Sequence, residues 1–209
     1  SSGLYRLIAA GLAVLIAAAG IYWLRGGERK VEQQGAVAGV AASGQDFRAL
    51  ATGALAAFVV KPQRKPVADI GFQDWAGQPL KLGDWKGRVA LVNLWATWCA
   101  PCRKEMPALA ELQRQIGSKD FEVVAISVDR KGVEASAAFL KETGADALKL
   151  YVEPTARILD DLQAVGLPAT LLIDRQGNEI GRLLGPAEWA GPEAKALIEA
   201  AVKEGSAGG

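Results

Sequence analysis

Hydrophobic and polar positions along this chain fall into three successive patterns. The first is an apolar run from Leu7 to Leu24, LIAAGLAVLIAAAGIYWL, 18 residues without a charge, bracketed by Arg6 and Arg25. At about 1.5 Å of rise per residue it nearly crosses a hydrocarbon core of about 30 Å, which predicts a membrane-spanning helix with Tyr22 and Trp23 at the interface. A cleavable leader is the competing reading, because Ala17-Ala18-Ala19 offers a small-residue cleavage site. Arg25, Arg29 and Lys30 follow the span and only Arg6 precedes it, so loop charge alone does not place the N-terminus inside.

The second pattern covers residues 25–66. Up to residue 44 it is rich in Gly, Ala, Val and Gln with no sustained period, which predicts a flexible tether. Phe47, Leu50, Ala51, Ala54, Leu55 and Phe58 then follow the i, i+3, i+4, i+7 spacing of one helix face, with Asp46 as a cap. The spacing predicts one amphipathic helix outside the main domain, its stripe either packing on the globular body or offering a surface to a partner or membrane. Pro62 and Pro66 end it.

From residue 67 onward strand and helix patterns alternate. Ile70–Gln73 and Leu80–Leu82 flank Trp75-Ala76-Gly77 as a hairpin, and Val89–Trp95 reads as a buried strand leading directly into a helix from Ala100. Phe121–Val128 and Lys149–Val152 read as strands, and Val133–Glu142 and Thr155–Gln163 as helices. A hairpin of Ala169–Asp174 and Glu179–Leu184 and a helix from Pro192 to Lys203 close the domain. Strands separated by helices predict parallel crossovers, and the final pair predicts antiparallel pairing. The fold class is therefore α/β, a mixed central sheet flanked by helices. The predicted organisation is an anchor over 1–24, a tether with one helix over 25–66, and a domain over 67–209.

Composition narrows the chemistry. Half of the 209 residues are hydrophobic, enough for a buried core. A net charge of +1 argues against nucleic acid as a partner. Histidine is absent, which removes His-ligated metals and Ser-His-Asp catalysis. With two cysteines and one methionine there is no stock of soft ligands for a buried metal cage, so neither a metal nor a cofactor is expected.

Attention falls on the cysteines themselves, Cys99 and Cys102, where a buried strand gives way to a helix. Residues i and i+3 on a first helical turn lie about 5–6 Å apart, within disulfide range, so the pair can open and close. At the helix N-terminus free N–H groups and the helix dipole favour a thiolate, which makes Cys99 the nucleophile candidate. Cys102, one turn inside, is suited to resolve the mixed disulfide that Cys99 forms. A zinc ribbon would need two further ligands that the chain lacks, and a structural staple would close too short a loop to stabilise much. Two inert core thiols would leave the flanking proline and tryptophans without a reason.

Residues 67 to 205, with NLWATWCAPCRKEMPAL and GPAEWA as the most specific stretches, resemble the thioredoxin superfamily and within it the TlpA/ResA group of membrane-anchored thiol-disulfide oxidoreductases, at its TlpA branch. The resemblance implies a thioredoxin-like fold with Pro168, in Gly166-Leu167-Pro168-Ala169-Thr170, as a cis proline. The kinked backbone at Leu167 and Pro168 would then bind an extended substrate segment beside Cys99, next to Trp98. Thioredoxins carry an Asp six positions before the first cysteine; this chain has Asn93, which cannot take a proton at neutral pH. The group instead places a Glu three residues after the second cysteine, here Glu105, a proton-relay candidate whose alternative is a solvated carboxylate near a helix N-terminus. Pro107 falls where thioredoxins kink this helix.

The implied activity is reduction of particular protein disulfides by a monomer anchored in the cell membrane, with its domain facing the periplasm. Implied partners are a Sco-type copper chaperone or the copper-binding oxidase subunit in copper-centre assembly, or apocytochrome c in cytochrome c maturation, with a membrane thiol-electron donor recharging the pair. The alternative is a Cu(I)-binding and delivery module using Cys99 and Cys102, weakened by the absent histidine. A peroxidase reading lacks the Pro-x-x-x-Thr-x-x-Cys pattern, since Thr97 stands only two residues before Cys99.

Overall fold

A computed structural model of the chain describes residues 46–206. Thirteen regular elements follow in order: α1 (Phe47–Leu50), β1 (Val59–Val60), β2 (Gly71–Asp74), β3 (Pro79–Lys81), β4 (Val89–Trp95), α2 (Ala100–Ile116), β5 (Phe121–Ser127), α3 (Gly132–Glu142), β6 (Tyr151–Val152), α4 (Arg157–Asp161), β7 (Ala169–Ile173), β8 (Glu179–Leu184) and α5 (Pro192–Ser206). The anchor expected over residues 1–24 and the tether up to residue 44 lie outside the described residues. Among those described, no helix is long and apolar enough to cross a membrane.

The strands form one eight-stranded sheet in the order β1-β8-β7-β4-β5-β6-β2-β3. Strands β4, β5 and β6 run parallel, and the remaining neighbours pair antiparallel. This is the thioredoxin-like α/β arrangement with a mixed sheet flanked by helices. VALVNLW and FEVVAIS are buried at every position, as central strands covered on both faces must be. Helix α2 packs on β5 and α5 on β4.

The main departure from the sequence expectation lies before the domain. The single amphipathic helix predicted over Phe47–Phe58 is instead the one-turn α1, a 3-10 turn over Gly53–Leu55 and strand β1. Asp46 caps α1, accepting from the Arg48 amide at 3.0 Å, as its side chain predicts. The helix stops because Thr52 is extended and Gly53 takes φ +54°, a left-handed conformation that glycine adopts readily. Most of the apolar stripe still packs on the body: Phe47, Leu55 and Phe58 are buried in the core, Leu50 and Ala51 lie against it, and only Ala54 is exposed. β1 adds an edge strand to β8 in the register Val59↔Arg182. Arg64 fastens this segment, lying 5.0 Å over the Phe47 ring and pairing with Glu204 at 2.7 Å. The helix expected over Thr155–Gln163 shortens to α4 because Ala156 and Gln163 both take positive φ.

Leu55→Ala removes a fully buried side chain from a segment that the hydrophobic pattern places outside the domain. It should cost about 2–5 kcal/mol of stability, read as a lowered midpoint in urea unfolding with unchanged slope.

Candidate active site

Strand β4 ends at Trp95, and the chain turns through Ala96 to Cys99 before α2 begins. The turn is held by Cys99 N–H donating to Ala96 O at 3.1 Å and Val128 N–H donating to Trp95 O at 2.9 Å. Asp129, just beyond β5, accepts from the Thr97 amide at 3.1 Å and from the Thr97 hydroxyl. Burial pushes the Asp129 carboxyl up, but these bonds and one from the Lys131 amide outweigh it and leave it below its ordinary value. Trp95 stacks on Phe139 of α3 at 4.9 Å, and Arg103 of α2 lies 4.5 Å over the other partner of that stack. The entry to α2 is therefore anchored from two directions.

Cys99 is the N-cap of α2, and its sulfur accepts from the Cys102 amide at 3.2 Å. That amide is one of the donors a helix N-terminus leaves without an intrahelical acceptor, and it points at Sγ, where a thiolate would form. Cys99 and Cys102 are joined in a disulfide with Cα atoms 5.3 Å apart, and both are buried. Trp98 beside them is 68% exposed, an unusual position for the largest side chain. The Leu167–Pro168 peptide is cis, as the resemblance implies. The register Leu94↔Ala169 sets Pro168 level with the end of β4, where the cysteine turn starts. Leu167 is half-buried, and its backbone N–H and C=O make no hydrogen bond among the described residues.

Glu105 is not a solvated carboxylate: only 2% of it is exposed. Its Oε1 accepts from Asn93 Nδ2 at 2.9 Å, and its Oε2 accepts from the Ala187 amide and from Trp189 Nε1, each at 3.2 Å. Burial pushes its pKa from 4.5 to about 7, although all three hydrogen bonds favour the charged form. A carboxyl group poised at that value one helical turn beyond Cys102 is equipped to take and return a proton near neutral pH. Pro107 lies inside α2 two residues further on.

Three partners of Glu105 escape the sequence reading. Asn93 appears there only as the place where an acid is missing, yet it also donates to Thr170 Oγ1 at 2.9 Å, and Asn93 and Thr170 face each other in the β4–β7 register. The signal was present as single polar residues inside the apolar runs VALVNLW and ATLLI. Trp189 lies in GPAEWA, but nothing in that stretch says that its indole N–H reaches back 84 positions. Among the described residues no group of His, Cys, Asp or Glu is arranged to hold a metal ion. Clefts of about 510 and 630 Å³ are lined by no residue of this site.

Comparison with known proteins agrees with this geometry. A model of the AhpC/TSA family matches residues 64–178, more than half of the chain. The thiol-disulfide oxidoreductase ResA of Bacillus subtilis is 31% identical over 113 residues, 54% of this chain and 62% of that protein. The thiol:disulfide interchange protein HelX of Rhodobacter capsulatus is 36% identical over 101 residues, 48% of this chain and 54% of that one. The chain thus spans less than two thirds of the length of these curated relatives. Among solved structures, the thioredoxin domain of a Bacteroides vulgatus thiol-disulfide oxidoreductase superposes with a TM-score of 0.56 at 25% identity, covering 65% of this chain and 94% of that domain.

The raised Glu105 pKa has a consequence for stability. Between 4.5 and about 7 the folded protein keeps a proton that the unfolded chain has released, so stability falls as pH rises through that window. The loss is on the order of 3 kcal/mol. Urea unfolding of the oxidised protein from pH 4.5 to 8 should show this slope, and Glu105→Gln should flatten it.

Proposed function

The chain belongs to the AhpC/TSA family, and on that footing we propose that it is a thiol-disulfide oxidoreductase that reduces protein disulfides. The observation that carries the reading is the Cys99–Cys102 disulfide at the start of α2 with Glu105 buried one turn beyond it. In the reduced protein the Cys99 thiolate attacks one sulfur of a client disulfide, forming a mixed disulfide and releasing the other client sulfur as a thiolate. Cys102 gives its proton to the Glu105 carboxylate and attacks the Cys99 sulfur. The second client thiolate leaves, two electrons have passed to the client, and the pair is closed as it is here. The exposed Trp98 ring and the free backbone groups of Leu167, held beside Pro168, support an extended polypeptide as the substrate.

The finer reading combines this chemistry with the apolar run Leu7–Leu24. A reductase tethered to a membrane is useful where disulfides form, so residues 25–209 face the periplasm and 1–24 are the anchor. The positive charges after Leu24 do not forbid this, because a large following domain translocates despite them. The clients are a Sco-type chaperone or oxidase copper subunit, or apocytochrome c, and a membrane thiol-electron donor restores the dithiol of the monomeric enzyme.

Cys102→Ser keeps the attacking thiol and removes the resolving one. It should accumulate a mixed disulfide between Cys99 and its client, released by reductant and resolved on a non-reducing gel. Stoichiometric Cu(I) binding with no turnover of a disulfide peptide would instead favour metal delivery. In the wild type, exchange should quicken as pH rises through about 7 as Glu105 ionises. Glu105→Gln should lose that inflection and slow resolution by about tenfold or more. Protease added to intact spheroplasts should digest the domain; full protection would overturn the periplasmic orientation.

A further inference from the structure

Beside Glu105 the structure leaves two polar features without a use. Asn93 Oδ1 is buried and accepts no hydrogen bond. The Thr170 hydroxyl accepts from Asn93 Nδ2, but its own proton has no acceptor among the described residues. Both residues are fully buried, where an unmade hydrogen bond is costly. Meanwhile every group that faces the carboxylate is a donor: Asn93 Nδ2, the Ala187 amide and Trp189 Nε1. This surround suits a carboxylate and opposes a carboxylic acid, whose proton would meet a donor at either oxygen.

We propose that the Asn93 amide is a reversible partner of Glu105, donating to the carboxylate through Nδ2 and turning over when Glu105 takes a proton, so that Oδ1 accepts from both the carboxylic acid and the Thr170 hydroxyl. A half-turn of the amide places Oδ1 where Nδ2 now lies, 2.9 Å from both Glu105 Oε1 and Thr170 Oγ1. Two bonds are made before and two after. The unmade groups also balance, Oδ1 and the Thr170 proton in one arrangement and the two Nδ2 protons in the other. The other contacts of Glu105 stay as they are, because the Ala187 amide and Trp189 indole bond only to Oε2. Asn93 and Thr170 are thus positioning residues that let one buried acid gain and lose a proton without stranding it.

No charged side chain interferes with this exchange. β4 and β7 carry none, Glu188 on the Gly185–Trp189 loop is exposed, and so are Arg103 and Lys104 on α2, Arg103 being turned to Glu142 and the Phe139 ring; the nearest buried titratable side chains before Glu105 are Cys99 and Cys102, which do not titrate while joined. Because Thr170 stands two residues after Pro168, the amide links the proton on α2 to the strand proposed to hold the client. The inference rests on the redox reading for its purpose, but its geometry is testable without a client.

The test is nuclear magnetic resonance on the oxidised full chain, following the Asn93 Nδ2 protons and the Glu105 side-chain carboxyl carbon as pH is lowered through about 7. Cross-peaks from the Nδ2 protons to Thr170 and Glu105 should be lost in step with protonation of Glu105. In Glu105→Gln the low-pH pattern should hold at every pH. There the side-chain oxygen must face the Ala187 and Trp189 donors, which turns its amide toward Asn93 and calls for Oδ1. Cross-peaks that persist through the titration, or a Glu105→Gln spectrum with the high-pH pattern, would overturn the proposal. If the amide turns over but Cys102→Ser traps no client, the redox reading falls and the switch stands; a trapped client with a fixed amide gives the reverse.

Discussion

A carboxylate in an apolar interior survives only where donors surround it, and Glu105 draws its donors from distant parts of the chain. Asn93 lies 12 positions before it on β4, and Ala187 and Trp189 lie 82 and 84 positions after it on the loop that follows β8. Glu105 itself belongs to α2. One side chain therefore fastens the helix that carries both cysteines to the central strand beneath it and to the loop beyond the sheet. Loss of any one donor would leave the charge less well held, so the packing of these three elements and the proton affinity of the acid are a single constraint.

That constraint gives the two sulfurs different surroundings. The N–H groups at the start of α2 stabilise negative charge on Cys99, whose Sγ already accepts from the Cys102 amide. An ionised Glu105 one turn past Cys102 works against a second thiolate there. The helix N-terminus and the buried acid thus place the two sulfurs in opposite electrostatic surroundings, a difference that two equivalent cysteines on a surface helix would not have. Asp129 fixes the approach to Cys99 by holding Thr97, two residues before it, through both its amide and its hydroxyl.

Much of this was legible in the sequence, and the reasons differ by region. The strand Val89–Trp95 and the helix starting at Ala100 stand where the pattern puts them, because a long apolar run and the Cys-Ala-Pro-Cys junction leave few alternatives, and Glu179–Leu184 follows as the second arm of a hairpin turned by Arg175–Asn178. Phe47–Phe58 misled because period alone cannot see the backbone: the apolar residues do turn inward, but Gly53 and the pairing of Val59–Val60 with β8 achieve this without a helix. Glu105 was visible as a residue near the cysteines but not as a buried one, since a carboxylate three residues after a helix-opening pair is ordinarily solvated. Its burial depends on Trp189, a contact set by how the loop after β8 closes over α2. No local pattern encodes that closure.

The departure at position 93 and the burial at position 105 then become one feature. Asn93 Nδ2 stands 2.9 Å from Glu105 Oε1. An aspartate at 93 would bring two carboxyl groups within hydrogen-bond reach in a dry site, where both cannot ionise and the pair would titrate as a coupled unit sharing a proton. With an amide there, a single group titrates, and its pKa is set by burial against three defined donors. The strand keeps a polar partner facing the helix while the titrating group lies on the helix, one turn from Cys102. With the acid on the helix and not on the strand, the carboxyl group and the Cys102 sulfur share one rigid element, so that the distance between them is set by helix geometry and not by how the helix packs on the sheet.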